Sequence, residues 1–157
     1  VQNNRDHRKI LIVDGKTAFT GGINLADEYI DKLDRFGHWK DTAVMVKGDA
    51  VKSFTYMFLK MWNVAGKKDR IEQEEIDNYI INFDKDECLN DFDLKNELIR
   101  SNGYVIPYGD SPFSSERIGK RVYIDILNRA QRYVHIMTPY LILDDEMIVQ
   151  QGALRQL

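Results

Sequence analysis

The sequence has a single cysteine and no long apolar run, and each shortage excludes a class of protein. Cys88 has no partner for an internal disulfide and cannot supply a Cys-rich zinc site. The longest apolar runs, such as Ile10 to Val13, are about four residues, whereas a helix that spans a membrane needs roughly 20. We therefore expect no transmembrane segment and a fold that needs no disulfide or structural metal.

What is present is the composition of a soluble globular chain. Its 157 residues are 43% hydrophobic, 30% charged and 11% aromatic, which suits one domain or a piece of one. The sequence begins at Val1 without an initiator methionine and ends in a helix-like run. From this we expect a piece of a longer chain.

The net charge of −3 conceals an uneven distribution. Residues 1–70 contain 13 Lys and Arg against 9 Asp and Glu, whereas residues 71–98 contain 2 against 10. A mildly basic first segment suits a phosphate-bearing substrate, but its excess is too small to indicate nucleic-acid binding, and the acidic segment would repel a nucleic acid. Charge alone does not decide the function, since scattered surface pairs would give the same totals.

Short runs of β-branched and aliphatic residues bounded by turn signals predict five strands. The first two flank Asp14-Gly15, a dipeptide favoured in tight hairpin turns, so they should pair antiparallel. The predicted strands are Arg8–Val13, Thr17–Thr20, Thr42–Val46, Gly103–Pro107 and Val134–Thr138, the last stopped by Pro139.

Helical spacing predicts three helices. Asn24 should cap Leu25–Ile30, and Asp49 should cap residues 50–64. A third helix should cover Glu116–Gln131, with Ile126 among its inward residues. The second helix carries an apolar stripe typical of a core-facing helix, formed by Val51, Phe54, Phe58, Met61 and Trp62.

Strands that alternate with helices predict an α/β fold, with a mixed β-sheet flanked by helices. We divide the chain into residues 1–66, an acidic excursion or linker over 67–98, and residues 99–157 as the continuation of the same domain.

The chemically informative stretch has the pattern His-x-Lys-x4-Asp-x6-Gly-x2-Asn, from His7 to Asn24. His7 and Lys9 are two residues apart, so on a strand both side chains leave the same face. A neutral imidazole can attack the phosphorus of a phosphodiester while the ammonium neutralises its oxygens. Gly21-Gly22 lets backbone N–H groups approach an anion, and Asn24 adds a side-chain donor. Each feature alone is weak, but the whole pattern should arise by chance in only about one in 10⁴ to 10⁵ such sequences.

This stretch resembles the HKD motif of the phospholipase D superfamily, and in particular the first HKD motif of the bacterial cardiolipin synthases. The likeness extends over "NNRDHRKILIVDGKTAFTGGINLADEYI", "GHWKDTAVMVKGDAVKSFTYMFLKMW" and "VHIMTPYLILDDEMI". It covers roughly residues 1–65 and 103–150, and it implies a phospholipase D-like half-domain. One departure is Gly22, where many members of the superfamily carry serine.

The resemblance implies a role for each matched residue. His7 would attack phosphorus and form a phosphohistidine, while Lys9 and Asn24 would hold phosphate oxygens together with the backbone of Gly21 and Gly22. Asp14 belongs to the motif but is suited to a structural turn or salt bridge. Asp41, in the Trp-basic-Asp-Thr strand, would orient the nucleophilic ring, as the carboxylate of a triad does; a surface carboxylate is the alternative.

Other histidines and cations are weaker candidates. Neither His38 nor His135 is followed by a lysine two residues later, so neither makes a second motif, and we interpret both as structural. No spacing predicts a zinc or calcium site, and the resemblance implies no metal and no cofactor. Lys67-Lys68 and Arg70 fit a solvated helix end, although they could also touch anionic headgroups.

The reaction of the family uses two HKD motifs, and this sequence contains one. The resemblance therefore implies part of an enzyme, inactive alone, whose second HKD half lies elsewhere in the same parent chain. That parent would work at the bacterial cell membrane and transfer a phosphatidyl group between two phosphatidylglycerol molecules, giving cardiolipin and glycerol. Its partners would be anionic phospholipid and the membrane surface, with no nucleic acid; this segment itself would be soluble.

Two other functions stay open at this point. One is a single-motif phosphodiesterase or nuclease that completes its site as a homodimer. The other is a non-catalytic module that binds phosphate without turnover.

Overall fold

A computed structural model describes residues 6–35, 37–66, 69–82, 103–111, 115–138, 145 and 148. The chain divides into two compact units, Val1–Pro107 and Tyr108–Leu157. Residues 83–98 of the predicted acidic excursion, Cys88, Lys67-Lys68 and Pro139 lie outside the described residues. The predicted division at residues 66 and 98 stays a prediction.

The first unit is built on a three-stranded antiparallel sheet of strand order β1-β2-β3. These strands are β1 (Ile10–Val13), β2 (Thr17–Gly21) and β3 (Ala43–Lys47). Asp14 and Gly15 both have positive φ, +52° and +64°, and the Lys16 N–H donates to the Val13 carbonyl at 3.0 Å. This is the backbone twist that matches two antiparallel strands, so the predicted hairpin is confirmed.

Helix α1 (Ala50–Ala65) covers one face of the sheet. Val51 and Phe54 of α1 pack with Ala18 of β2 and Val46 of β3 to form the core. The predicted helix is confirmed, but Phe58 and Trp62 of its stripe are each 45% exposed. Phe58 and Trp62 lie in the second half of α1, beside the edge strand β1, where no further strand of the described residues covers them.

Residues 69–82 return along α1. They contain the short helix α2 (Gln73–Ile76) and a 3₁₀ helix, Asp77–Tyr79. The side-chain amide of Asn63 donates to the Ile71 carbonyl at 2.8 Å and accepts from the Ile71 N–H at 2.9 Å. The indole N–H of Trp62 donates to the Asp69 carbonyl at 2.9 Å. These three hydrogen bonds hold the returning segment against the end of α1.

The second unit contains helix α3 (Ile118–Arg129), within the predicted Glu116–Gln131. Its first turn is capped from outside the helix, because Asp110 accepts the backbone N–H groups of Ile118 and Gly119, both at 2.7 Å. Leu127 is its buried residue, whereas Ile126, predicted to face inward, is 49% exposed. The helical period was right and the choice of face at that turn was wrong.

The α/β class is confirmed, but the predicted mixed sheet, two of the strands, one helix and one helix cap need correction. Residues 103–107 and 134–138 form no strand, and every strand pairing among the described residues is antiparallel. A strand needs a hydrogen-bonding neighbour, which local alternation cannot supply. The predicted helix at Leu25–Ile30 is a 3₁₀ helix at Asp27–Ile30, with Ala26 at its N-cap position. Asp49 does stand at the N-cap position of α1, but its carboxylate pairs with Lys52 at 2.7 Å instead of capping.

Candidate functional site

The strand register gathers most of the motif at one end of the sheet. Ile10 pairs with Thr20, and Gly21 pairs with Ala43. The residues just before β1, just after β2 and just before β3 therefore neighbour one another. These positions carry the predicted site residues, namely His7, Lys9, Gly21, Gly22, Asn24 and Asp41.

Asp14 lies at the other end of β1, in the hairpin turn. The four residues of β1 alone separate it from Lys9 by about 13 Å of strand. Its positive φ suits aspartate, which adopts this backbone conformation more readily than most residues. Asp14 thus occupies a turn position away from the imidazole of His7.

The side chains of His7 and Lys9 lie together, so their predicted proximity is confirmed. Lys9 Nζ is 2.9 Å from His7 Nδ1, 3.2 Å from His7 Nε2 and 2.8 Å from the His7 carbonyl oxygen. Ile10 and Ile12 pack against the core, so alternation places Lys9 on the opposite face, with Leu11 (59% exposed). The imidazole is itself exposed and reachable from solvent.

This contact leaves the lone pairs of the His7 ring accessible. The lone pair of an unprotonated ring nitrogen lies in the ring plane and points away from the other nitrogen. Lys9 Nζ lies at nearly equal distances, 2.9 and 3.2 Å, from both nitrogens, so the ammonium group lies over the ring face and not on either lone pair. An anionic oxygen beside the pair would offer Lys9 a stronger, charge-assisted partner.

The neighbouring cation, Arg8, is already neutralised. Its guanidinium donates to both carboxylate oxygens of Asp6, at 2.8 and 2.9 Å. The hydrogen bonds from Arg8 hold the pKa of the Asp6 carboxyl below its ordinary value. Sequence reasoning missed this pair, although the Asp-x-Arg spacing on an extended segment would have indicated it. Lys9, rather than Arg8, is the cation placed to meet an anion at this end.

Asp41 is held by its own neighbours. The Thr42 N–H donates to Oδ1 at 2.7 Å, and the Trp39 indole N–H donates to Oδ2 at 3.4 Å. A Cβ atom at Gly22 would lie 2.6 Å from Oδ1 and 2.9 Å from Oδ2. The Asp41 carboxylate therefore occupies the space that a side chain at position 22 would fill.

Gly21 and Gly22 allow β2 and the residues before β3 to approach each other closely. A Cβ atom at Gly21 would lie 2.5 Å from the Thr42 carbonyl oxygen. The Gly22 N–H donates to that same oxygen at 3.4 Å, so it is directed into the sheet and not toward an anion. This differs from the predicted phosphate contact, because the β2–β3 pairing takes up the donor first.

Asn24 is half-buried and does not cap a helix. Its backbone carbonyl accepts the Ala26 N–H at 3.1 Å, which makes a turn before the 3₁₀ helix. Asn24 lies three residues after the paired Gly21, at the same end of the sheet as Lys9.

The loop before β3 is anchored by Asp31, a residue that sequence reasoning did not single out. Asp31 accepts the Trp39 N–H at 2.6 Å and pairs with His38 Nδ1 at 3.1 Å. Trp39 also packs edge-to-face on Tyr29, with ring centroids 4.8 Å apart. His38 therefore has a structural partner, as predicted, and the loop fixes the indole that contacts Asp41. The only sequence signal for this anchor was an aspartate just after a helix, a position that favours the left-handed backbone Asp31 adopts.

The described part of the chain contains neither a metal-binding cluster nor a membrane-spanning helix. No three His, Cys, Asp or Glu side chains there form a group that could hold a metal ion. No helix there is long and apolar enough to cross a membrane.

No family model matches the chain, and no solved structure matches it. An uncharacterized protein of Streptococcus mutans is 54% identical over 145 residues, which cover 92% of this chain and 28% of that protein. A cardiolipin synthase of Clostridium perfringens is 36% identical over 146 residues, covering 93% and 28%. Cardiolipin synthase 2 of Staphylococcus epidermidis is 32% identical over 146 residues, covering 93% and 27%.

The fold and the site define an α/β protein with an imidazole–ammonium pair at one end of its sheet. The comparisons add that the chain is related to the cardiolipin synthases over nearly all of its length, which confirms the resemblance. It spans little more than a quarter of the length of these relatives.

Proposed function

We propose that this chain is the part of a cardiolipin synthase that supplies the nucleophile for phosphatidyl transfer. The observation that carries the proposal is the pairing of His7 with Lys9, 2.9 Å apart on an exposed end of the sheet, within a sequence related to cardiolipin synthases. The parent enzyme would act at the bacterial cell membrane, where its phospholipid substrates reside.

The first step forms a bond between a ring nitrogen of His7 and phosphorus of phosphatidylglycerol. The bond from phosphorus to the headgroup glycerol oxygen breaks, and glycerol leaves with a proton from an acid in the second half of the site. Lys9 moves from the imidazole to the phosphate oxygens and stabilises their charge. Asn24 supplies a further donor to those oxygens.

In the second step, a hydroxyl of another phosphatidylglycerol attacks the phosphohistidine. The nitrogen–phosphorus bond breaks, the hydroxyl proton passes to the base in the second half, and cardiolipin is released. Asp41 would act as a positioning residue that holds the ring of His7 and stabilises its developing positive charge. The two residues flank β1 and β3, which β2 separates by about 10 Å, so the imidazole or the carboxylate has to move for them to meet when substrate binds.

Replacement of His7 by alanine in the intact protein tests the proposal. We expect cardiolipin formation from phosphatidylglycerol to fall by at least about 10³-fold, because the imidazole that would form the covalent intermediate is removed. Replacement of the exposed His135 by alanine is the matched control, since no site role is assigned to it, and should leave most activity. Transfer at the normal rate by His7→Ala would contradict the nucleophile assignment. Turnover of phosphodiesters by a symmetric dimer of this chain alone would instead support the single-motif phosphodiesterase.

A further inference from the structure

Two cavities lie along α1 on the face of β1 opposite Lys9. The larger, about 510 Å³, is bounded by Ile12 and Asp14 on one side and by Tyr79 on the returning segment. The smaller, about 280 Å³, reaches Arg8 and Ala65. Phe58 and Trp62 line both cavities, so the two cavities adjoin along α1, and we call them together the α1 groove.

The α1 groove has the dimensions of a lipid chain. It follows β1 from Arg8 to Asp14, six residues or about 20 Å of strand. One leaflet of a bilayer holds about 15 Å of hydrocarbon, so an acyl chain fits within this length. The larger cavity also falls within the usual range of small-molecule pockets, about 300 to 1,000 Å³.

The walls of the groove are mostly apolar and fixed in position, with charged side chains at its two ends, Asp6 and Arg8 at one and Asp14 at the other. Phe58 and Trp62 stack with ring centroids 6.1 Å apart, and each remains 45% exposed. The hydrogen bond from Trp62 to the Asp69 carbonyl holds the indole, and the Asn63–Ile71 pair holds the opposite wall. Such preformed apolar walls suit a flexible apolar ligand, since the protein loses little freedom on binding it.

The charges at the groove favour an amphiphile with an anionic head. Its mouth is at Asp6 and Arg8, which neutralise each other, and the residues flanking Arg8 are His7 and Lys9. On its outer side, β1 has no strand neighbour among the described residues. A lipid whose phosphate contacts Lys9 could therefore pass its acyl chain around this edge of the sheet into the groove.

We propose that the α1 groove binds one acyl chain of the phosphatidyl donor while its phosphate meets Lys9. This inference rests on the proposed function and adds the place and number of the bound chains. It predicts that lengthening both acyl chains of phosphatidylglycerol strengthens its binding only by the amount that one buried chain contributes.

The test measures equilibrium binding of monomeric dihexanoyl- and diheptanoyl-phosphatidylglycerol to the intact protein carrying His7→Ala, which prevents turnover. Each buried methylene strengthens binding by about fourfold. The longer lipid has one more methylene on each chain, so we expect about a fourfold gain if one chain is bound. A gain of about 16-fold would mean that both chains are buried, and no gain would mean that neither is; either result overturns the proposal.

Variants locate the bound chain. Ala65→Trp and Asn78→Trp add bulk at exposed positions that line the groove, and they should abolish the chain-length gain. Lys60→Trp, at an exposed position of α1 that lines neither cavity, is the matched control and should retain the gain. An undiminished gain in both groove variants would place the chain elsewhere and overturn the proposal.

The outcome can be separated from that of the proposed function. If His7→Ala abolishes transfer but shows no chain-length gain, the groove proposal fails and the nucleophile assignment stands. If His7→Ala still transfers phosphatidyl groups and the gain is present and lost in the groove variants, the groove binds a lipid chain and the nucleophile assignment fails.

Discussion

Replacement of Gly22 by alanine should damage the site without unfolding it. The new methyl carbon would lie 2.6 Å from Asp41 Oδ1, whereas ordinary contacts of a Cβ atom begin at 3.4 Å. Since Gly22 is held against Thr42 by the end of the β2–β3 pairing, the carboxylate is the group that must move, by about 0.8 Å.

The magnitude follows from what this movement breaks. The 2.7 Å hydrogen bond from the Thr42 N–H to Asp41 is lost, but Asp41 is exposed and water replaces the partner. The free energy of unfolding should therefore fall by no more than about 1 kcal/mol. A misplacement of about 1 Å in a catalytic arrangement can reduce a rate by about 10²-fold. Many members of the phospholipase D superfamily carry serine, and hence a Cβ atom, at this position, so the carboxylate can adjust and the loss should stay below that limit. We expect kcat for phosphatidyl transfer to fall by up to about 10-fold.

The assay is cardiolipin formation by the intact protein, measured across a range of pH. Loss of a positioning carboxylate should change the shape of the pH–rate profile, because in the proposed mechanism Asp41 would stabilise the charged ring. A general loss of folded protein would instead scale every point equally. Gly103→Ala is the matched control, since a Cβ atom there has no neighbour within 4 Å. A folded Gly22→Ala protein with normal kcat and an unchanged profile would refute the reasoning.

Three further predictions concern stability. Asn63→Ala removes both hydrogen bonds to Ile71 and should lower the free energy of unfolding by about 1–2 kcal/mol, seen as faster amide exchange at Ile71; unchanged exchange would contradict the clamp. Asp110→Ala uncaps α3 and should cost about 1–2 kcal/mol, measured by denaturant unfolding, whereas an equal midpoint would mean that solvent caps the helix equally well. Burial raises the pKa of the Tyr108 phenol above its ordinary value. Tyrosine in the unfolded chain ionises at about pH 10. Below that pH, Tyr108 is neutral in both states and its full contribution to the free energy of unfolding is present; this contribution is lost as the pH rises through the raised pKa of the folded state. In an alkaline absorbance titration, Tyr108→Phe should remove a late-ionising component, and loss of an ordinary component instead would contradict the shift.

The elements that the sequence predicted correctly are those whose cause is local. Asp14-Gly15 specifies its own turn, and the apolar spacing of residues 50–64 specifies a helix wherever the partner lies. The proximity of His7 and Lys9 follows in the same way from the period of an extended chain. None of these needed knowledge of a distant residue.

The remaining features depend on distant partners. The approach of Asp41 to Gly22 requires the register of β2 on β3, two strands separated by a loop of 21 residues. The cap that Asp110 provides reaches eight residues along the chain, beyond the usual capping pattern. Residues 134–138 alternate like a strand but form none, since alternation says nothing about a neighbour.

The spacing of the motif acquires a geometric meaning from β1. The four residues between Lys9 and Asp14 are the strand itself, Ile10–Val13. The length of this strand therefore sets the distance from the His7–Lys9 end of the hairpin to its turn. A one-residue insertion in this interval would rotate Lys9 to the helix-covered side while leaving the turn intact, because strand side chains alternate between faces. A two-residue insertion would keep Lys9 on its face but move it about 7 Å along the sheet from Gly21, so the length of this interval matters as much as its parity.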